Sequence, residues 1–210
     1  YHRRGQTDST AAAEYEAGAI KAEFGRVLCV AMGMLSYTDA GTPQLTVTSY
    51  LEDDELTLLR KVAKALDHLS TREDNLQTGQ RQVRYLCAHN GREFDFPFLA
   101  RRMVVRQVPL PNLLQVWGKK PWESPFLDTM ELWKFGDYKA FTSLDLLAEI
   151  FGLPSPKHDI SGADVARVYY QERDPERIRQ YCTRDVVTLV QVYQYLLQLP
   201  LLSPAEVRVG

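Results

Sequence analysis

Hydrophobic positions in this chain fall into two rhythms, short apolar runs and longer stretches with a period near 3.6. Arg26–Tyr37 is an almost unbroken apolar run of Val, Leu, Ala and Met after Gly25, which predicts a buried strand. The turn residues Asp39-Ala40-Gly41-Thr42-Pro43 follow, and Gln44–Leu51, with Leu45 and Val47 alternating against polar neighbours, predicts the antiparallel partner. Over Asp53–Leu69 the apolar residues Leu56, Leu58, Leu59, Val62, Ala65 and Leu66 recur at helical spacing. Residues 70–81 are polar and read as a flexible loop. Val83–Ala88 is another short strand pattern, His89–Phe94 the loop after it, and Asp95–Val105 a helix that ends before Pro109 and Pro111. A short strand over Pro125–Asp128 leads into a helical Thr129–Phe135. Thr142 or Ser143 caps a helix running to Phe151 and ended by Gly152. Ser161 with Asp164 three residues on opens a helix through Tyr170, and Pro175 opens a long last helix to about Leu197. Residues 1–8 are irregular, Ser9 or Thr10 caps a short helix over Ala11–Ala17, and 199–210 read as a tail. Two strands on a tight turn, followed by mixed helices and strands, predict one α/β domain with a mixed sheet spanning residues 1–210.

Composition narrows the class. A chain of 210 residues holds one domain with a substantial core. With 45% hydrophobic and 25% charged residues it has the balance of an ordinary globular protein. The net charge of −2 supplies no overall field for nucleic acid, so any such contact must use a local patch. No apolar stretch approaches the ~20 residues that span a bilayer, and no leader pattern opens the chain, so the expectation is a cytoplasmic protein with no membrane partner. Cys29, Cys87 and Cys182 form no C-x-x-C pair and read as reduced thiols. The four histidines, His2, His68, His89 and His158, are scattered without H-E-x-x-H, which argues against a zinc hydrolase.

Two motifs carry chemistry. In Tyr181-Cys182-Thr183-Arg184-Asp185 the phenol and the carboxylate are four apart on a helix and so share one face. Asp185 can ligate a divalent ion and Tyr181 can orient an attacking water; alternatively, the aromatic is interfacial and Asp185 pairs with Arg179 or Arg184. Asn90-Gly91-Arg92-Glu93-Phe94-Asp95 follows an apolar strand and brings Asp95 to a helix start near the sheet's carboxyl edge, where open α/β sheets hold ligands; the competing role for Asp95 is a helix cap. Two carboxylates and a phenol are much of what a metal-dependent nuclease uses to aim water at a phosphodiester.

In order and spacing, several stretches together resemble one family. They are Glu23–Val27, Ala88–Leu99, Leu127–Trp133, Ser143-Leu144-Asp145, Ile160–Ala163 and Tyr181 with Asp185. The chain, from about residue 10 to 198, resembles the DnaQ-like (DEDD) 3′–5′ exonucleases, in particular the bacterial group likened to the proofreading domain of family-B DNA polymerases. The resemblance implies a ribonuclease H-like mixed five-stranded sheet flanked by helices. It also implies Asp95 and Asp185 as metal-binding carboxylates and Tyr181 as the tyrosine of the DEDDy subgroup. Asn90, Phe94 and Ser161 fall at substrate-positioning or structural positions, and Asp128 reads as a strand-end or cap residue. His158 is not the histidine of the sister subgroup, which would stand at Gln180. The implied cofactor is a pair of Mg²⁺ or Mn²⁺ ions, and the implied partner is the 3′ end of single-stranded DNA or RNA. Arg101, Arg102, Arg106, Lys119 and Lys120 are candidates for phosphate contacts, and Phe94, Phe96 or Trp117 for base stacking, with Phe96 and Phe98 favouring the core.

The family's Asp-x-Glu pair lies on a first strand that precedes the matched stretches. The D-x-E spacing at Asp53-Asp54-Glu55 opens a helix and reads as capping. In the implied fold the first strand is central, between the strands at 26–37 and 83–88. A sheet without it has two open inner edges, which is costly. The expectation is therefore that residues preceding Tyr1, or another chain, fill that place. The rival function is a non-catalytic nucleic-acid-binding domain on the same fold.

Overall fold

The computed structural model describes Gly18 and residues 20–71, 84–153 and 160–210. The helix expected over 11–17, most of the loop expected over 70–81, and His158 lie outside the described residues. Strand β1 (Cys29–Tyr37) pairs antiparallel with β2 (Pro43–Leu51) in unbroken register from Cys29↔Leu51 to Tyr37↔Pro43. Helix α1 (Glu55–Thr71) follows, then β3 (Leu86–Ala88), α2 (Asp95–Val105), β4 (Phe126–Asp128), α3 (Thr129–Lys134) and α4 (Leu144–Ile150). A short α5 (Val165–Arg167) runs into a wide turn over Val168–Glu172 before the 22-residue α6 (Pro175–Leu196) and the final strand β5 (Val207–Val209). Asp174 caps α6 by accepting the Arg177 N–H, and Ser143 caps α4 by accepting that of Leu146. Among the described residues no helix is long and apolar enough to cross a membrane.

The described strands form two sheets and not one continuous sheet of five. One has the order β1-β2-β5 and the other is the parallel pair β3-β4. Among the described residues β1 therefore has β2 on one side only, and β3 has β4 on one side only. The alternation of β1 explains its sandwiching. Val30 and Met32 pack on the cluster of Leu58, Leu59, Val62 and Met103 contributed by α1 and α2. Cys29 and Leu35 pack with α6, Cys29 beside Ile178 and Leu35 beside Val186 and Val190. Gly33 is required by that close approach, because a Cβ there would lie 2.6 Å from Val186 Cγ1 and 3.0 Å from Leu45 Cδ1.

Segment 199–210 is not a tail. Leu202 is 4% exposed and seals the cluster of Leu45 and Val47. Its backbone N–H donates to Gln194 Oε1 (3.1 Å), and Gln191 Nε2 donates to its carbonyl (3.3 Å). Two buried amides on α6 thus fix the chain so that Val207 and Val209 pair in parallel with Leu45 and Val47. Buried amides need partners, and this backbone supplies them.

Between the two sheets lies one cavity of about 1900 Å³. It is lined by Cys29–Leu35 of β1 and Leu86–Ala88 of β3, with Phe96 and Leu99 of α2 and Val186 and Leu189 of α6 completing its walls. That volume exceeds the ~300–1,000 Å³ of small-molecule pockets.

Candidate active site

The loop from β3 to α2 is built around Asp128. This carboxylate, 3% exposed at the end of β4, accepts the backbone N–H groups of Asn90 (2.8 Å) and Met130 (3.0 Å) on Oδ1 and of Arg92 (3.0 Å) on Oδ2. It is the N-cap of α3 and, with the same oxygens, the clamp of the neighbouring loop. Asn90 has φ 59°, in the left-handed region that Asn tolerates better than most residues. Arg92 ties the loop down from the other side, its guanidinium donating to the carbonyl of Phe126 and to that of Pro121 (3.3 Å). His89, isolated in the sequence, is held between Thr129 Oγ1 (2.8 Å) and the Thr142 carbonyl (2.7 Å), so that the start of α4 is joined to the same loop.

Asp95 is the first residue of α2, and it makes no side-chain cap: Phe94 occupies the N-cap position. Its carboxylate opens onto the cavity instead. Asp185, on α6, lines the same cavity. Enclosure by the cavity wall pushes Asp95 up to about 6, and the charges of Asp128 and Asp185 add to the shift. Tyr181 donates a hydrogen bond to Asp185. Burial, followed by the charge of Asp185 and this bond, holds the phenol well above its ordinary pKa, so it stays protonated at neutral pH. Arg179 forks onto Glu176 at 2.7 and 2.5 Å.

A carboxylate enclosed by a cavity wall and raised by other carboxylates is stabilised by a cation, and two oxygen-ligand side chains suit a hard divalent ion. Asp95 and Asp185 supply that much. Among the described residues no group of three or more His, Cys, Asp or Glu side chains is arranged to hold a metal ion.

The other expected residues separate. Asn90 Oδ1 is buried with no hydrogen-bond partner among the described residues, and Phe94 is 42% exposed beside Phe98, with ring centroids 5.5 Å apart. Arg101 is exposed on α2. Ser161 is engaged locally, donating its hydroxyl (2.7 Å) and its N–H (2.9 Å) to Asp164. Arg102 is not a surface cation: at 7% exposure it donates to Glu55 (2.9 and 2.6 Å) and to the Ala22 carbonyl (2.8 Å). Glu55 is correspondingly a buried ion-pair partner, while Asp54 does cap α1 through the Thr57 N–H (2.8 Å). Arg106 lies 3.9 Å from Asp54 and 3.7 Å from Glu55. Phe96 stacks in the core on Phe126 at 4.4 Å. Trp117, Lys119 and Lys120 are exposed, on a segment that the Arg92–Pro121 bond joins to the site loop.

A protein-family profile described as "Predicted 3'-5' exonuclease related to the exonuclease domain of PolB" matches residues 27–201. No curated protein matches the chain.

Proposed function

Because the chain belongs to this family of predicted exonucleases related to the exonuclease domain of PolB, we propose that it releases nucleotides from the 3′ end of single-stranded nucleic acid, DNA in the first instance, by metal-dependent hydrolysis. The observation that carries the reading is that Asp95 and Asp185, the latter bonded by Tyr181, line one cavity between two strand edges left open among the described residues.

Asp95 and Asp185 would hold Mg²⁺ or Mn²⁺ together with carboxylates from an extended segment seated between β1 and β3. When bound, such ions lower the pKa of the attacking water and stabilise the leaving oxygen. A strand suits that place because it satisfies both open edges at once. Tyr181, kept protonated with its hydroxyl hydrogen on Asp185, orients the water by accepting from it and is not the base. Asn90 positions substrate through the loop it shapes, since its own Oδ1 is buried. Phe94 offers an exposed ring to the terminal base, and Arg101, Lys119 and Lys120 are cations for the phosphates behind it. Ser161 acts through the Asp164 cap, holding the residues next to it against the cavity.

The test uses the product of the whole gene, including any segment that precedes Tyr1, with labelled single-stranded and 3′-recessed DNA and RNA and Mn²⁺. Mononucleotide release that disappears in Asp185→Ala supports the reading. A folded protein that releases nothing but binds the strands supports the second reading, a non-catalytic nucleic-acid-binding domain. One observation favours that alternative, the lack of a third carboxylate with Asp95 and Asp185 among the described residues.

A further inference from the structure

Nuclease chemistry has no use for a thiol, yet two thiols meet beside Tyr181. Cys29 begins β1, and Cys182 lies on α6 directly after Tyr181 and three residues before Asp185. Both are free, both are half-buried, and both line the cavity. They pack on the same cluster of Ile160, Val168 and Ile178 that Tyr181 touches. Within it each of the two thiols is the largest influence on the acidity of the other. Strand and helix thus bring two thiols onto one cluster at the turn that carries Tyr181 and Asp185.

The two thiols are not equivalent. Cys182 holds Cys29 below its ordinary value; burial opposes it, and Arg179 assists while Glu176 counteracts. Cys182 is pushed up, by Cys29 first and then by its own burial. This is the arrangement of an attacking thiolate with a resolving thiol beside it. Cys87 differs, since burial and the charge of Asp128 push it up to about 12.

We propose that Cys29 and Cys182 are a peroxide-reactive pair that closes to a reversible disulfide between β1 and α6. The Cys29 thiolate attacks one oxygen of hydrogen peroxide, the O–O bond breaks, and the thiolate becomes a sulfenic acid with release of hydroxide. The Cys182 sulfur then attacks that sulfenic sulfur, a second hydroxide leaves, and the two thiol protons complete two waters. Two thiols and one peroxide give one disulfide and two waters, and a dithiol reverses the bond by exchange. Forming the bond brings the sulfurs to about 2.0 Å, closer than any hydrogen-bonded contact. The strain falls on the turn of α6 that positions Tyr181 and Asp185, and a displacement of order 1 Å there costs on the order of 10²-fold in rate. That consequence rests on the exonuclease reading; the disulfide does not.

The experiment treats the whole gene product with hydrogen peroxide, alkylates the remaining thiols, and maps peptides by mass spectrometry. The expected result is a Cys29–Cys182 cross-linked peptide, lighter by two hydrogens, that disappears on dithiothreitol treatment and never forms in Cys29→Ser or Cys29→Ala. Circular dichroism checks that these variants are folded, and Cys87→Ser should cross-link like the wild type. Sulfinic or sulfonic acid at Cys29 without a cross-link, or a disulfide through Cys87, overturns the proposal. In the activity arm, oxidised wild type should lose roughly 10–100-fold in nucleotide release and regain it on reduction. A cross-link with unchanged activity refutes the coupling to the site. A cross-link in a protein inactive in both redox states refutes the exonuclease reading and leaves the dithiol intact.

Discussion

Asp128→Ala is the substitution from which most follows, because one side chain closes two elements. Its two oxygens accept three backbone N–H groups, from Asn90, Arg92 and Met130, at 2.8–3.0 Å. A hydrogen bond to a charged acceptor contributes about 1.5–3 kcal/mol, and a stranded buried donor costs a similar amount. The three bonds share one carboxylate and the cavity admits water to part of the loop, so the sum is not additive. We expect a loss of about 3–4 kcal/mol, a large share of the ~5–15 kcal/mol by which domains are stable. Asp128→Asn keeps one acceptor oxygen and a good N-cap side chain, so it should lose only about 1–2 kcal/mol. One effect runs the other way. Removing this charge relieves Asp95, whose carboxyl is raised first by burial and then by Asp128. Asp95 is exposed to the cavity, so screening leaves that relief well below the ~1.4 kcal/mol of a full pKa unit, and the hydrogen-bond loss wins. Urea denaturation at pH 7 reads both variants as a shift of midpoint at constant slope. An alanine variant within ~0.5 kcal/mol of wild type, or an asparagine variant less stable than the alanine one, would refute the clamp.

The buried pair of Glu55 and Arg102 gives a second prediction: Glu55→Ala or Arg102→Ala alone should cost about 3–5 kcal/mol by leaving an unpaired charge, and the double replacement should recover part of it in a double-mutant cycle. Additive losses would show that the pair is not coupled. Asp95 gives a pH dependence. Its folded pKa of about 6 lies above the ~3.9 of an unfolded Asp, so the native state binds the extra proton between them. Its contribution to stability is complete below about pH 4 and is lost as pH rises through about 6. Relative to wild type, Asp95→Asn should therefore gain stability steadily from about pH 4 to about pH 7; a difference that is flat across that range would sink the assignment.

How much of this was readable in the sequence depends on the range over which each feature is decided. Helix α2 begins at Asp95 and ends at Val105 as its spacing predicts, and α1, α4 and α6 fall within about two or three residues of expectation, because periodicity and capping are local. Tyr181 and Asp185 come together for the same reason: one turn of helix places them. What failed was decided elsewhere in the chain. Val207–Val209 is too short to announce itself as a strand, and it forms because Gln191 and Gln194 hold Leu202. Arg102 reads as a surface cation until Glu55, 47 residues away, is seen to meet it in the core.

The same distinction bears on the site itself. Asp95 and Asp185 lie on elements whose form is local, but their sharing of one cavity depends on how β1 and β3 stand. Among the described residues each of these strands uses one edge and turns the other toward the cavity, and an open edge is the feature that folded sheets most consistently pair, cover or charge. The walls between them are largely apolar. Apolar side chains from α2 and α6 close both faces, Phe96 and Leu99 on one and Val186 and Leu189 on the other, as they would above and below a central strand buried on both sides. A pocket for a small ligand has no need of two hydrogen-bonding rims. On the exonuclease reading proposed above, a segment that satisfied those rims would also be a natural source of further carboxylates beside Asp95 and Asp185, so that completing the sheet and completing the site would be one event.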